Sequence, residues 1–377
     1  MKEIVFINQD SGYLMIDLIN AHVEAGYSCS LITGRIVERS TPLHPKVRVN
    51  KIIKYRRSNI PIRILTWLLA MLQIFFILWL RYPGCYLFIV SNPPFAPLIP
   101  LACKRPYSLL IYDLYIELPE KFPLLNSKSL IVKIWKNAHI KAFSEAEKLF
   151  TLTEGMSVNI EKYSRGKKCE VVPLWTDNEF LKPIPSTKNP FINEHHLQGK
   201  FVVLYSGNIG QSSGVEYLVE VASMTKSDHI IFVIIGAGSR KQDLKRRIEK
   251  LGLRNCLLLP WQDVDVLPHS LASADLAVVT LPPGSSGKAI PSKLFNYMSV
   301  GAPVLCLAEP ESDLSIIIRN AKNGQCFNPE DKEIIARYIL WLSSNPEVLK
   351  EMHENSLTAS RYYTKVNARR FIQSDTL

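Results

Sequence analysis

Three glycine-containing stretches carry the residues best suited to chemistry. The first runs Ser206-Gly207-Asn208-Ile209-Gly210 to Ser213 and Gly214, after an apolar run and before a helical pattern. Such a turn lets the backbone approach a ligand and presents unpaired N–H groups to an anion, which is phosphate chemistry. A plain strand-to-helix turn needs the same glycines. No Gly-Lys-Ser/Thr follows, so this is not a Walker loop. The second turn, Gly236-Ala237-Gly238-Ser239-Arg240, lacks a third glycine and an acidic ribose partner. It fits a dinucleotide poorly. The third stretch, Pro282–Pro303, is a Gly/Ser loop ending in Pro291, which can open a helix at its first position. Ser292 and Lys293 then fall in the first turn, where an ammonium opposes the helix dipole. That placement suits a lysine facing an anion; the bland alternative is a solvated lysine.

A second set of candidates lies in the first half. Asp113 and Glu117 stand in YDLYIE at a strand end. Acids at the carboxyl ends of parallel strands sit where open α/β sheets bind ligands. Asp113 is open to three roles: a base, an orienting acceptor of hydrogen bonds, or a structural cap. Gly12 either lets a loop approach a ligand or makes a simple turn. His22 and His139 lie on helices and read as ordinary surface or core residues. The other six histidines, and seven cysteines without a CxxC pair, are too dispersed for a metal site. Dispersed thiols fit a reducing compartment, and MKEIVFINQD reads as a strand, not a signal peptide.

The charge is concentrated. The chain of 377 residues carries +11, and residues 35–105 hold twelve Lys or Arg against the single acid Glu38. Within them lies Ile64–Leu80, where only Thr66 and Gln73 are polar. Three readings compete for this run: a transmembrane helix, a buried core helix, or a helix lying in the membrane interface. About 20 apolar residues are needed to span a bilayer, and strands resume on both sides, which disfavours a span. A core helix against a sheet needs only one apolar stripe. An apolar surface nearly all round implies a second apolar environment, so an interfacial helix over 62–81 is expected. Arg63, Trp67, Phe75, Phe76, Trp79 and Arg81 would then meet lipid, the tryptophans at the polar boundary and the cations on anionic headgroups.

These residues need elements to hold them. The length allows roughly two domains, and 47% apolar with 21% charged residues excludes a disordered chain. Strand and helix patterns alternate through 3–9, 15–25, 28–33, 47–55, 85–90, 108–114 and 131–146, and then through 148–153 and 169–175. A Pro-rich stretch without periodicity, 173–190, marks the junction. A second series follows, with strands near 201–207, 230–236, 255–260, 275–281 and 302–307. Its helices fall near 213–225, 239–251, 264–273, 290–300 and 312–322. Alternation of this kind predicts parallel sheets covered by helices. The expected architecture is α/β: two Rossmann-like doubly wound domains facing a cleft, 1–180 and 190–360. A tail, 361–377, is a candidate to return to the first.

The order and spacing of YSGNIG, GVEYL, LPWQ, LASADLAVVTLPP, IPSKLFNYMSVGAPVL and NGQCFNPED resemble the family 4 retaining glycosyltransferases of GT-B fold. The resemblance covers the second half and extends forward through SNPPF, IYDLYIELPE and VVPLWTD. It is nearest to bacterial surface-polysaccharide sugar transferases acting on lipid-linked glycans. It implies a nucleotide-diphosphate sugar as co-substrate in the second domain, a lipid-linked or glycan acceptor in the first, and no metal or cofactor. Donor binding is then expected of Gly207, Asn208, Gly210, Ser213, Gly236, Gly238, Arg240, Trp261, Gln262, Lys288, Ser292, Lys293 and Asn296. Trp261 and Gln262 match the place of the base, although Trp261 also reads as core packing. Asp113, Glu117 and Lys293 are the expected catalytic groups. Where many members carry two glutamates eight apart, this chain has Lys288 and Asn296. Asn208 and Ser213 replace the usual cations of the first turn, and Tyr112 replaces a histidine.

The expected activity is a metal-independent transfer of a hexosyl or N-acetylhexosaminyl group, with retention, at the cytoplasmic face of an inner membrane. A sugar-nucleotide epimerase of the same fold and a non-catalytic membrane-surface protein are the alternatives. Nucleic-acid binding would need cations interleaved with stacking aromatics on a polar face. Here the cations flank a greasy helix instead.

Overall fold

The computed structural model describes residues 3–56, 60–117, 129–211 and 213–372. Two units divide it. The first holds residues 1–174, 287–289 and 365–377, and the second holds 175–286 and 290–364. The chain changes unit at Leu174/Trp175, at the start of the proline-rich stretch.

The first unit is built on β1 (Ile4–Ile7), β2 (Asp10–Ser11), β3 (Cys29–Thr33), β4 (Arg35–Ile36), β5 (Arg48–Lys51), β6 (Tyr86–Val90), β7 (Tyr107–Leu110), β8 (Lys148–Thr151) and β9 (Cys169–Val171). Seven of these form a parallel sheet in the order β5-β3-β1-β6-β7-β8-β9, and β2 pairs with β4. The central strands IVFI and YLFIV are buried throughout, as a sheet covered on both faces requires. Expected strands 47–55 and 108–114 are shorter, since pairing ends at Lys51 and Leu110.

Helix α1 (Tyr13–Glu24) follows β2, and α2 (Ile60–Arg81) follows β5. Pro61 is tolerated because it stands in the first turn, where no intrahelical N–H is needed. Ala70, Ile74 and Leu78 recur every fourth residue and are fully buried in the core with Val5, Ile32, Leu87 and Ile89. Each such Ile or Leu contributes roughly 1.5–3 kcal/mol by leaving water.

The second unit contains β10 (Phe201–Ser206), β11 (Ile230–Ile235), β12 (Cys256–Leu259), β13 (Leu276–Thr280), β14 (Val304–Leu307) and β15 (Gly324–Phe327). They form a parallel sheet in the order β12-β11-β10-β13-β14-β15. The two parallel α/β sheets match the fold class expected from the alternating patterns.

Candidate active site

In the second unit the site grows from the end of β10. The main chain leaves the strand at Gly207, whose N–H donates to Ile235 O at 2.9 Å. The turn at Gly236 and Gly238 lies directly against it. A Cβ on Gly236 would strike Gly207 O, and one on Gly238 would strike the Ile209 backbone. These glycines are therefore required by the packing of two loops, whatever else they do. Ser213 donates to Gly210 O at 2.8 Å and accepts from the Thr280 hydroxyl through its carbonyl. Its hydroxyl is spent on holding the loop. Asn208 folds over Gly210, where an added Cβ would lie 2.7 Å from Nδ2. Ser212 lies outside the described residues. A cavity of about 100 Å³ opens beside the loop, lined in part by Gly214, Glu216, Tyr217, Thr280 and Pro282.

Lys293 comes up underneath Gly207. Its Nζ lies 3.7 Å from the centroid of the Tyr205 ring, a cation–π contact. A Cβ on Gly207 would come within 2.6 Å of that nitrogen, so the missing side chain makes room for the ammonium. No carboxylate among the described residues pairs with it. Burial alone pulls its pKa down to about 7. Tyr297 secures the arrangement: fully buried, its hydroxyl oxygen accepts from Ser206 N–H at 2.8 Å. The helix runs Lys293–Ser299, with exposed Ser292 at its N-cap making no side-chain cap. Pro291 therefore precedes the helix instead of opening it, because the first helical residue is Lys293 itself.

The remaining second-unit candidates are spread around this centre. Asn296 accepts from Thr176 Oγ1 at 2.6 Å. Arg240 forms an ion pair with Asp243 at 3.6 Å on an exposed helix start. Trp261 is 60% exposed, which corrects the core-packing reading. It follows the end of β12 beyond Pro260, where no layer covers it. Gln262 donates to Pro260 O at 3.0 Å.

In the first unit Asp113 follows β7 and makes a single antiparallel bridge with Ala289. The Tyr115 hydroxyl donates to its Oδ2 at 3.1 Å. Glu117 accepts from Tyr163 at 2.9 Å and pairs with Lys288, also at 2.9 Å. The Lys288 hydrogen bond, followed by the Tyr163 bond and the nearby positive charge, holds the Glu117 carboxyl below its usual range despite burial. Lys288 is thus answered by a carboxylate. Its short segment is fastened by Leu114 N–H to Lys288 O at 3.1 Å and by Asn159 to Gly287 O at 2.9 Å. Gly12 sits at the start of α1 with open space where a Cβ would go. His22 and His139 are buried, bonded to main-chain carbonyls, and belong to the core.

Helix α2 turns its outer face to solvent: Leu65, Leu68, Leu72, Phe75, Phe76, Trp79 and Leu80 are all exposed, Trp79 by 67% and Leu80 by 69%. Trp67 is a correction to the expected pair of boundary tryptophans. It is buried, stacked on Tyr55 with centroids 5.8 Å apart. Position 67 falls on the inner stripe beside Ala70, so only Trp79 faces outward. Arg63 is half-buried over Trp67, and Arg81 donates to Asn50 at 2.9 Å.

Sequence reasoning missed Tyr205, Tyr297, Thr280 and Tyr115. Tyr205 stands inside the glycine motif itself, one residue before Ser206, and an aromatic at the last buried strand position was a usable signal. Tyr297 and Thr280 become visible only through contacts across long sequence separations, whereas Tyr115 stands two residues from Asp113 within the motif YDLYIE and was a usable signal too.

Comparison with known proteins bears on the second unit and on the fold. Residues 188–358 match the family described as glycosyl transferases group 1. The family match thus covers somewhat less than half of the chain, within the second unit, while the chain as a whole has the GT-B fold. It is 33% identical over 208 residues to the putative colanic acid biosynthesis glycosyl transferase WcaI of Escherichia coli, covering 54% of this chain and 51% of that protein. It is 26% identical to the probable glycosyltransferase WbjE of Pseudomonas aeruginosa, covering 64% and 61%. The match thus spans about half to three-fifths of the length of these relatives. Among solved structures, Anabaena HepE in complex with UDP-glucose superposes with a TM-score of 0.73 at 14% identity, over 98% of each chain. WaaG, a glycosyltransferase involved in lipopolysaccharide biosynthesis, does so with 0.72 at 15%, over 98% of this chain and 100% of that one. At these identities the structures establish the fold.

Proposed function

We propose that this protein transfers a sugar from a nucleotide-diphosphate donor to a lipid-linked glycan at an anionic membrane surface. The observation that carries the reading is the unpaired ammonium of Lys293 beneath Gly207, at a glycine turn where backbone can approach phosphate. A leaving diphosphate needs positive charge placed in advance. An ammonium drawn out of water and left without a carboxylate is suited to that task. The family match over residues 188–358 and the relatives' names support a sugar nucleotide as the donor, and the exposed indole of Trp261 offers a face for its base.

The first unit serves the acceptor. Asp113, held by Tyr115, is the candidate to orient or deprotonate the acceptor hydroxyl, while Glu117 and Lys288 hold each other. Retention of configuration, a hexosyl or N-acetylhexosaminyl group, and a role in surface-polysaccharide synthesis are part of the proposal. So is a peripheral position at the cytoplasmic face, supported by the outer face of α2 and the twelve cations of residues 35–105.

The test is donor profiling with UDP-, GDP- and ADP-sugars against a lipid-diphosphate glycan, read by mass spectrometry. Lys293→Ala is expected to lower kcat/KM by roughly 10- to 100-fold, the range for losing a hydrogen bond to a charged group. Unchanged kinetics would remove Lys293 from the site. With Lys293 meeting the phosphate charge, turnover is expected to persist in excess EDTA.

A further inference from the structure

The last two strands of the second unit place two cysteines face to face. Cys306 on β14 and Cys326 on β15 are partners in the parallel register. Paired strands run about 4.8 Å apart, and a disulfide needs Cα atoms about 4.4–6.8 Å apart. Both sulfurs meet one residue of the covering helix Asp313–Ala321. Cys306 Sγ lies 3.9 Å from Ser315 Oγ, and Cys326 Sγ lies 4.0 Å from Ser315 O, so the two side chains point to the same face of the sheet. The two thiols share a hydrogen bond. That bond, with Ser315 and the charge of Arg319, holds the Cys326 thiol below its ordinary value despite burial, while the same bond and burial hold Cys306 well above it. Cys29, Cys169 and Cys256 show the contrast: burial pushes each up to about 12. Cys306 is fully buried, whereas Cys326 is half-buried on the edge strand.

We propose that Cys306 and Cys326 are a hydroperoxide-sensitive dithiol whose closure to a disulfide resets the cavity beside the glycine loop. The half-buried Cys326 reacts first. Its thiolate attacks a peroxide oxygen and the O–O bond breaks. The departing oxygen takes up the thiol proton and leaves as water or an alcohol, and Cys326 becomes a sulfenic acid. Cys306 then attacks that sulfur, the S–O bond breaks, and the Cys306 proton departs with the hydroxyl as water. The two sulfurs give up one electron each, and the peroxide gains the pair. A disulfide prefers Cα atoms about 5.5–6 Å apart, wider than paired strands allow, so closing it presses the edge strand outward. Strained disulfides of this kind are the readily reduced, regulatory ones. The cavity feels the bond on two sides. Leu307, next after Cys306, and Pro329, shortly past Cys326, both line it together with Gly214 and Tyr217. Outward movement of β15 carries Pro329 away from Leu307 and opens that wall.

The experiment treats the full reduced chain with stoichiometric hydrogen peroxide and digests it without reductant for mass spectrometry. The expected product joins the peptides holding Cys306 and Cys326, lighter by two hydrogens, and dithiothreitol restores both thiols. The other five cysteines should stay reduced. Cys306→Ser should leave Cys326 as a sulfenic acid that dimedone traps, and Cys326→Ser should leave Cys306 as a thiol. Cys326→Ser alters only a half-buried site, so it carries the comparison if Cys306→Ser lowers Tm. Amide exchange at residues 327–330, which needs no ligand, should quicken on oxidation of the wild type and stay unchanged in Cys326→Ser. UDP affinity, read by calorimetry, should fall severalfold in the wild type alone. The proposal is overturned if no cross-link forms in the folded chain, if Cys306 is trapped before Cys326, or if oxidation leaves the amide exchange as it was. The UDP arm rests on the proposed donor site. A reduced chain that binds no UDP sinks that site, while the cross-link and the amide exchange still decide the dithiol.

Discussion

At the scale of single residues, the distinctive group is a lysine, Lys293, that lies on the Tyr205 ring and meets no carboxylate among the described residues. Burial lowers the Lys293 pKa to about 7, against about 10.5 in an unfolded chain. Between these values the unfolded state binds the extra proton. This group therefore makes the protein more stable as pH rises from about 7 to about 10, and its full cost is felt below 7. A bound diphosphate reverses the preference by favouring the ammonium. UDP binding is thus expected to take up close to one proton near pH 8 and to weaken as pH climbs further. Calorimetry in buffers of different ionisation enthalpy measures this directly. Binding without proton uptake would show that the phosphates lie away from Lys293. Gly207 belongs to the same device, since any side chain there would press on the ammonium.

At the scale of elements, α2 has two apolar faces with different partners. Its inner stripe, Ala70, Ile74 and Leu78, is consumed by the sheet. Its outer face has no partner among the described residues of the first unit. Phe76 and Trp79 are 54% and 67% exposed. Replacing both by Glu removes apolar surface and adds charge where anionic lipid would lie. The double variant is expected to lose more than tenfold in vesicle affinity with little change in Tm, because neither side chain supports the core. Sedimentation with phosphatidylglycerol vesicles reads this. High salt should release the wild type only in part, since screening acts on the cations and not on the buried aromatics.

At the scale of the whole molecule, the chain finishes by returning to the unit it began in. Residues 365–372 pack on the first unit, and Phe371 is 3% exposed between Phe88 and Phe150, with ring centroids 6.0 and 5.0 Å away. Residues 373–377 lie outside the described residues. Arg370 donates to Val171 O at 3.1 Å and Arg369 pairs with Glu24 at 3.3 Å. Phe371→Ala is expected to destabilise the first unit by about 3–5 kcal/mol, the usual cost of a deleted core aromatic. Denaturant unfolding followed by tryptophan fluorescence would show it. An unchanged midpoint would mean the terminal segment is an ornament on that unit.

The sequence alone determined the two series of parallel strands, because unbroken apolar runs between glycine turns are local patterns that burial on both faces demands. It also determined that residues 62–81 form a helix too greasy for one neighbour, and it marked the turn at Gly207 as the candidate place for phosphate chemistry. It left open which side of that helix is covered, since a surface apolar all round carries no directional signal. The sheet settled that, taking Trp67 inside and leaving Trp79 out. Only the tertiary structure brought Lys293 under Tyr205 and Gly207, joined Lys288 to Glu117, and carried Phe371 back to β6. Each of these contacts joins residues scores to hundreds of positions apart, and no periodicity of two or 3.6 residues encodes such a distance.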